Sequence, residues 1–139
     1  MNYRLKNKNG ILASKNVSKY FINWDKPSAS KIQTKVKNFL KEYWAKYLVY
    51  EEFPVYGTRL RVDFLNASKM IAIEVQGEQH DKVVKHFHGN KQGFFESLER
   101  DRQKREWLDM NDFQLIEISD KETKTLDLSF FKNLDIDIS

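Results

Sequence analysis

The sequence predicts a compact α/β domain with a mixed sheet, and three observations support this prediction. Apolar residues follow helical spacing from Lys31 to about Tyr47 and again from Phe94 to about Met110. Between these helices, two segments alternate apolar and polar residues as strands do, Arg59 to Leu65 and Met70 to Gln76, and a further strand is expected just before them. A further strand is expected from Phe113 to Ile118, after the break at Asn111-Asp112. The predicted order is helix, strand, strand, strand, helix, strand.

Composition limits the class of protein. A chain of 139 residues, 40% hydrophobic and 32% charged, is expected to form one soluble domain with a real core. No apolar run is long enough to span a membrane, and no signal pattern is evident at the start. The absence of cysteine excludes a disulfide scaffold and a thiolate zinc site and fits a cytoplasmic protein. The net charge of +4 is compatible with a polyanionic partner.

Three regions are expected: residues 1–27, a core at 28–119, and a C-terminal tail at 120–139 that packs on the core as a short helix or irregular chain. The first region is rich in lysine and asparagine and has two interpretations: a basic arm on nucleic acid, or a flap packed on the body. The flap is favoured because three large apolar side chains there need a place to bury. These are Tyr20, Phe21 and Trp24.

The first helix begins after Pro27, with Ser28 or Ser30 as its N-cap. Gln33 lies at the edge of its apolar stripe. Most glutamines at such positions are surface residues, and Gln33 is kept as a weaker site candidate.

The stretch from Arg59 to His80 is the centre of the sequence. Its first strand places Leu60, Val62 and Phe64 on one face and Asp63 on the other. Its second strand, from Met70, places Glu74 and Gln76 on a shared face. An ordinary amphipathic hairpin would turn these polar residues to water. The nearly continuous apolar run around Glu74 instead suggests burial, which is costly for a carboxylate unless it is paired or binds a cation.

The preceding strand is expected at Leu48 to Val55, and its turn sets the register with the next strand. Gly57 in a two-residue type II′ loop would place Glu52 opposite Asp63. A three-residue loop would place Glu51 there instead. Glu52 is favoured, and Glu51 stays open as the alternative.

The second helix has an apolar stripe that Asp101 interrupts. The stripe contains Phe94, Leu98, Asp101, Arg105 and Leu108. Asp101 could face inward to a site, or it could pair with Arg105 on a solvated edge. The segment from Asp81 to Gly93, which carries His86 and His88 as weaker candidates, is expected to form a loop over the site.

Basic residues surround these elements. Arg100, Arg102, Lys104 and Arg105 form either a solvated helix face or a phosphate-binding one. The candidate DNA-binding residues are Arg59, Arg61, Lys91, Arg100, Arg102 and Arg105.

Asp63 and Glu74 suit a hard divalent cation such as Mg²⁺, which takes one or two carboxylates and completes its shell with water and phosphate oxygens. A backbone carbonyl near Val75 could add a third ligand. Such an ion neutralises phosphate and activates water. His80 could take or relay a proton, although a histidine after a strand is more often an ordinary loop residue.

The combination of Asp63, the run from Glu74 to His80 and Asp101 on the following helix resembles the PD-(D/E)XK nuclease superfamily. More narrowly, it resembles the branch of very-short-patch repair endonucleases, DUF559 domains and phage homing endonucleases with an EDxHD site. The resemblance covers about 28–118. It implies an αβββαβ restriction-endonuclease-like core and Mg²⁺-dependent hydrolysis of DNA, with Mn²⁺ as a substitute, in a phage-encoded or bacterial protein. It assigns metal binding to Asp63 and Glu74, proton transfer to His80 and orientation of water or histidine to Asp101.

The sequence departs from that family at two positions. The branch often supplies an acidic residue from its first helix, where Gln33 is the nearest match and Glu52 a substitute. Gln76 stands where many members have lysine. Two functions follow: a DNA endonuclease or nickase acting in recombination, repair or homing, or a catalytically inactive DNA-binding or protein-interaction module with the nuclease fold. DNA is the expected partner, with a homodimer or recognition protein as a further partner and no membrane.

Overall fold

The computed structural model describes residues 1–76 and 91–139, except for the side chain of Lys91. Within these residues there are six strands: β1 Asn2–Lys6, β2 Leu12–Asn16, β3 Val49–Pro54, β4 Arg61–Asn66, β5 Ile71–Gln76 and β6 Gln114–Ser119. The same residues form four α-helices: α1 Lys31–Trp44, α2 Lys91–Met110, α3 Asp120–Thr123 and α4 Leu128–Lys132. None of these helices has the length and apolar character needed to cross a membrane.

The strands form a four-stranded mixed sheet in the order β3-β4-β5-β6 and a separate two-stranded sheet of β1 and β2. The first two pairings of the large sheet are antiparallel, and β5 pairs with β6 in parallel. A parallel pairing needs a long crossover connection, and this one includes α2. The prediction of an α/β domain with a mixed sheet is confirmed.

Both faces of the large sheet are covered. On one face, Trp107 and Leu108 of α2 belong to the same core cluster as Phe53 and Leu65. On the other face, α1 contributes Val36, Leu40 and Trp44 to a cluster with Ile73 and Ile116. A sheet buried on both faces forces any polar group in its middle to find partners within the protein.

The N-terminal hairpin packs against the α2 side of the sheet. The indole Nε1 of Trp107 donates to the carbonyl oxygen of Lys6 at 2.7 Å, and the hydroxyl of Tyr56 donates to the carbonyl oxygen of Tyr3 at 2.8 Å. Val17 is fully buried. The hairpin is therefore fixed to the body by both hydrogen bonds and apolar contacts. After the hairpin the chain forms a 3-10 turn at Ser18–Tyr20.

Helix α1 begins at its predicted position and ends earlier than predicted. Ser30 is the N-cap, and its hydroxyl accepts from the backbone N–H of Gln33 at 3.1 Å. The helix ends at Trp44, where the N–H of Tyr47 bonds the Trp44 carbonyl in a turn at 3.0 Å. The C-terminal segment is tied to this end, because Trp44 Nε1 donates to the carbonyl oxygen of Ile138 at 2.9 Å.

The register between β3 and β4 is the predicted one, although the turn is not. Pairing of Glu51 with Phe64 and of Phe53 with Val62 places Glu52 opposite Asp63. The chain reverses through a longer loop, closed by a bond from the Val55 N–H to the Leu60 carbonyl at 2.9 Å. Gly57, with φ 86°, is the second central residue of a turn from Val55 to Thr58, and this position requires positive φ in a type II turn. The predicted type II′ loop is therefore wrong, but both loops give the same strand register.

Candidate active site

Asp63 and Glu74 face each other across the two central strands. The ladder of β4 and β5 pairs Phe64 with Ile73, so the next position along the strands sets Asp63 against Glu74. The regular pairing stops at Phe64, although both strands continue beyond it. The two carboxylates thus lie where the strands would otherwise exchange backbone hydrogen bonds.

The carboxylates replace the missing part of the ladder. The Glu74 Oε2 atom accepts from the backbone N–H of Asp63 at 2.9 Å, and the Asp63 Oδ2 atom accepts from the backbone N–H of Val75 at 2.8 Å. Each strand therefore donates an amide to a carboxylate of the other strand. This reciprocal arrangement satisfies two partly buried amides and fixes both carboxylates on the α2 side of the sheet.

Burial and crowding keep a proton on Asp63. Desolvation is the largest cause, and the Glu74 charge is the second, so that the pKa of Asp63 rises from 3.8 to about 8. The bond from the Val75 amide lowers the pKa, whereas a carboxyl–carboxyl hydrogen bond with Glu74 and the charge of Glu52 raise it. At neutral pH the Asp63 carboxyl is therefore mostly protonated.

Lys104 of α2 supplies the counter-charge. Its Nζ atom lies 2.7 Å from Glu74 Oε1, and the two side chains are 22% and 9% exposed. Burial alone would lower the pKa of this amine, but Glu74, Asp63 and Asp101 together raise it above its ordinary value. The sequence placed Lys104 in a general basic cluster, and the structure places it in the site.

A second group of polar residues adjoins the pair through Glu52. Gln33 donates from Nε2 to Glu51 at 2.9 Å and to Glu52 at 3.0 Å. Lys37 donates to Glu51 Oε1 at 2.7 Å, and the hydroxyl of Ser28 also donates to Glu51. Gln33 is buried, unlike most glutamines at the edge of an apolar stripe, and it stays a candidate site residue. Glu51 is neutralised by Lys37, which leaves Glu52 as the acid that acts on Asp63.

The backbone of Glu52 explains how two consecutive acids can both reach Gln33. Glu52 has φ 53°, which is uncommon for a residue with a side chain. In a regular strand, Tyr50 and Phe53 would lie on opposite faces, but here both belong to the core on the α2 side. The left-handed residue thus breaks the alternation of β3 next to the carboxylate pair. Such strain is often found at functional sites.

Strand β4 is also less regular than predicted. Val62 packs in the core on the α2 side and Phe64 in the core on the α1 side, so the single apolar face predicted for them is wrong. The two residues flank Asp63, where the ladder to β5 ends.

Helix α2 is oriented differently from the prediction. Leu98 is 45% exposed and Arg105 is exposed, so they do not share an inward stripe with Leu108. Trp107 determines which side of the helix is buried, because its large ring packs in the core and its indole N–H donates a hydrogen bond there. Asp101 and Lys104 lie six and three positions before Trp107 and are half-buried on this side. Asp101 therefore lies near Lys104, whose pKa it raises.

The remaining candidates lie further from the pair or outside the described residues. Gln76 is half-buried at the end of β5, two residues beyond Glu74. His80, His86, His88 and the side chain of Lys91 lie outside the described residues. The other basic candidates, Arg59, Arg61, Arg100, Arg102 and Arg105, are exposed. Arg102 forms ion pairs with Glu99 and Glu106 of its own helix, as expected for a solvated helix face.

Among residues 1–76 and 91–139, no group of three or more histidine or carboxylate side chains is placed to hold a metal ion. Asp63 and Glu74 alone offer two oxygen donors of the type that Mg²⁺ accepts, since this ion commonly binds proteins through one or two carboxylates. Burial is the main cause of the raised pKa of Asp63, and the negative charges of Glu74 and Glu52 add to it; a bound cation would offset those charges. The donor set therefore fits Mg²⁺ or Mn²⁺.

The shifted pKa predicts a pH dependence of stability. Between pH 4 and pH 8 the folded protein holds a proton on Asp63 that the unfolded chain releases. The free energy of unfolding should therefore fall as pH rises through this window, by at most about 1.4 kcal/mol per pH unit from this group. Thermal melts of the wild type and Asp63→Asn from pH 5 to pH 9 isolate the contribution of Asp63 to the pH dependence of stability. The difference between the two should grow up to about pH 8; parallel curves would mean that Asp63 is ionised in the folded state.

Comparisons with protein-family models, curated proteins and solved structures found no match to this chain.

Proposed function

We propose that this protein is a metal-dependent DNA endonuclease or nickase of the PD-(D/E)XK type, with its active site at Asp63, Glu74 and Lys104. The observation that carries the proposal is the close pairing of the buried Glu74 with the half-buried Asp63 beside a partly buried lysine. Removing carboxylates from water costs free energy, and an ordinary core hairpin does not require them. Perturbed titratable groups of this kind concentrate at functional sites.

The order of elements is compatible with the αβββαβ core. Helix α1, strands β3 to β5, helix α2 and strand β6 follow one another in that order. The carboxylates lie on the second and third strands of this series, as the resemblance implies. The element order supports the proposal but does not by itself identify an activity.

Asp63 and Glu74 would hold Mg²⁺, which when bound neutralises phosphate charge and lowers the pKa of an attacking water. The remaining chemistry is assigned to the chain itself. Glu52, held by Gln33, adds a negative charge that raises the pKa of Asp63 further, after the larger effects of burial and of Glu74. Asp101 and Glu74 hold the Lys104 ammonium charged in the site.

Lys104 can provide the positive charge that Gln76 lacks. A cation placed near the scissile phosphate stabilises the charge that develops on its oxygens in the transition state. The ammonium of Lys104 reaches the site from helix α2, 2.7 Å from a Glu74 oxygen. Gln76 then keeps only the role of orienting a water or a phosphate oxygen.

Nicking of supercoiled plasmid tests the proposal directly. We expect relaxed circles in Mg²⁺ and in Mn²⁺, and none in EDTA, because hydrolysis requires the cation that the two carboxylates bind. Glu117→Gln is a matched control, since Glu117 is an exposed acid on β6 beside Glu74 in the parallel register. It should nick as the wild type does. Absence of cleavage of plasmid and of branched DNA with either metal would refute the nuclease.

One observation favours the second function, an inactive DNA-binding or interaction module. The ion pair with Lys104 and the proton on Asp63 already satisfy the carboxylates without a metal. A protein of this kind would bind DNA equally well in EDTA, with an affinity that falls as salt rises. Metal-independent binding without nicking would support this function.

A further inference from the structure

A polar cleft lies beside the carboxylate pair, between residues 19–29 and strand β3. Its volume is about 550 Å³, within the range of roughly 300–1,000 Å³ that is usual for small-ligand sites. Glu52 lines the cleft and lies opposite Asp63 in the register of β3 and β4, so the cleft adjoins the candidate active site. A molecule bound there would lie next to the reacting centre.

The ring of Phe21 is held rigidly in this cleft while much of it stays exposed. It stacks on Tyr50 with a centroid distance of 5.1 Å and an interplanar angle of 20°. The backbone is fixed as well, because Phe21 bridges Tyr50 and the Ile22 N–H donates to the Val49 carbonyl at 3.1 Å. The side chain is nevertheless 41% exposed. A fixed, exposed aromatic surface is suited to stacking with a flat partner.

The lining of the cleft carries two exposed lysines as well as the half-buried Glu52. Lys19 and Lys26 are both exposed there, and the backbone of Lys26 is anchored by its carbonyl, which accepts from Lys37 Nζ at 2.7 Å. The Lys37 ammonium is also paired with Glu51 and so offsets the negative charge of that acid. The lining therefore combines an aromatic platform with two ammonium groups.

We propose that this cleft binds an unpaired nucleotide, with its base stacked on Phe21 and its neighbouring phosphates beside Lys19 and Lys26. Stacking platforms flanked by cations are the usual means of holding single-stranded nucleic acid. A base inside a duplex is already stacked and paired, so Phe21 discriminates in favour of unpaired strands. The inference rests on the proposed function and narrows its substrate to DNA with unpaired nucleotides beside the bond that is cut.

Binding of labelled single-stranded oligonucleotide, measured by fluorescence anisotropy in EDTA, tests the cleft without requiring catalysis. The wild type should bind the single strand more tightly than the matching duplex. Phe21→Leu should weaken single-strand binding about tenfold, equivalent to about 1.4 kcal/mol, because it keeps apolar contact with Tyr50 but lacks a π-face. Phe21→Tyr should bind as the wild type does. Leu134→Ala, which removes an exposed apolar side chain elsewhere, should also leave binding unchanged.

The two lysines are tested through the salt dependence of the same binding. Lys19→Gln combined with Lys26→Gln should reduce the slope of log affinity against log salt by about 1.4, since each phosphate contact on a single strand contributes about 0.7. Melting temperatures of all variants establish that they are folded.

The proposed nucleotide site is refuted if Phe21→Leu binds the single strand as tightly as the wild type does. It is also refuted if the wild type does not prefer the single strand to the duplex. If metal-dependent nicking is found together with either result, the nuclease stands and only this inference fails. If the binding results are as expected but no DNA is nicked, the nucleotide site stands and the nuclease fails.

Discussion

Asp63→Asn should abolish nicking while making the protein more stable. The amide is nearly isosteric with the carboxyl, and its oxygen can still accept from the Val75 N–H. It carries no negative charge, so it binds a divalent cation poorly and cannot take a proton. We expect the nicking rate to fall at least about 100-fold, the scale for removing a key electrostatic group from an active site.

The gain in stability has the same origin as the loss of activity. The wild-type carboxyl is desolvated and repelled by Glu74, and a neutral amide avoids both costs. The free energy of unfolding of Asp63→Asn at pH 8 should exceed that of the wild type by about 1–2 kcal/mol, as is common when a strained functional site is relaxed. Urea denaturation followed by tryptophan fluorescence measures this free energy of unfolding. Nicking at more than a tenth of the wild-type rate, or a large loss of stability, would contradict the assigned role.

Lys104→Met should impair both folding and cleavage. It leaves the Glu74 carboxylate buried without its counter-ion, and removal of one partner of a buried pair is strongly destabilising. Because Lys104 is 22% exposed, we expect a loss of about 2–3 kcal/mol, toward the low end for such pairs. The nicking rate should fall about 100-fold under conditions where the variant is folded.

Controls on the same helix separate charge from packing. Arg105→Met removes an exposed cation one residue away and should change stability by less than about 0.5 kcal/mol. Lys104→Arg keeps the charge and should retain part of the activity. In the double variant Lys104→Met with Glu74→Gln, most of the lost stability should return, because no unpaired charge remains. If the double variant is as unstable as Lys104→Met alone, the defect lies in packing and not in the ion pair.

The carboxylate pair and its neighbour Glu52 could be predicted because strand geometry has few alternatives. Period-two alternation places Glu74 on a definite face, and a hairpin fixes the residues that face each other once the loop is chosen. The register that sets Glu52 against Asp63 was correct despite the wrong turn type, since two loops of different length gave the same pairing. Local sequence rules were therefore sufficient to predict the relative positions of these three carboxylates without knowledge of tertiary contacts.

Lys104 and Lys37 could not be identified in the same way. Both lie in helices rich in basic residues, where most lysines are solvated, and only the packing of the helices decides which lysine turns inward. One signal was available for Lys37, which follows Gln33 by four residues beside the apolar stripe. For Lys104, the spacing of three residues before Trp107 carried the information, because the largest aromatic fixed the buried side of the helix.

The hydrogen bonds that join β4 to β5 through the carboxylates make two backbone amides into natural spectroscopic reporters. The Val75 amide proton is bound to Asp63 Oδ2, so its NMR resonance should move as Asp63 titrates near pH 8. The amide of Leu65, in the regular part of the ladder, should not move in that range. The charge state of the site, and its change on addition of a cation, can thus be followed in the unmodified protein without a substrate or a label.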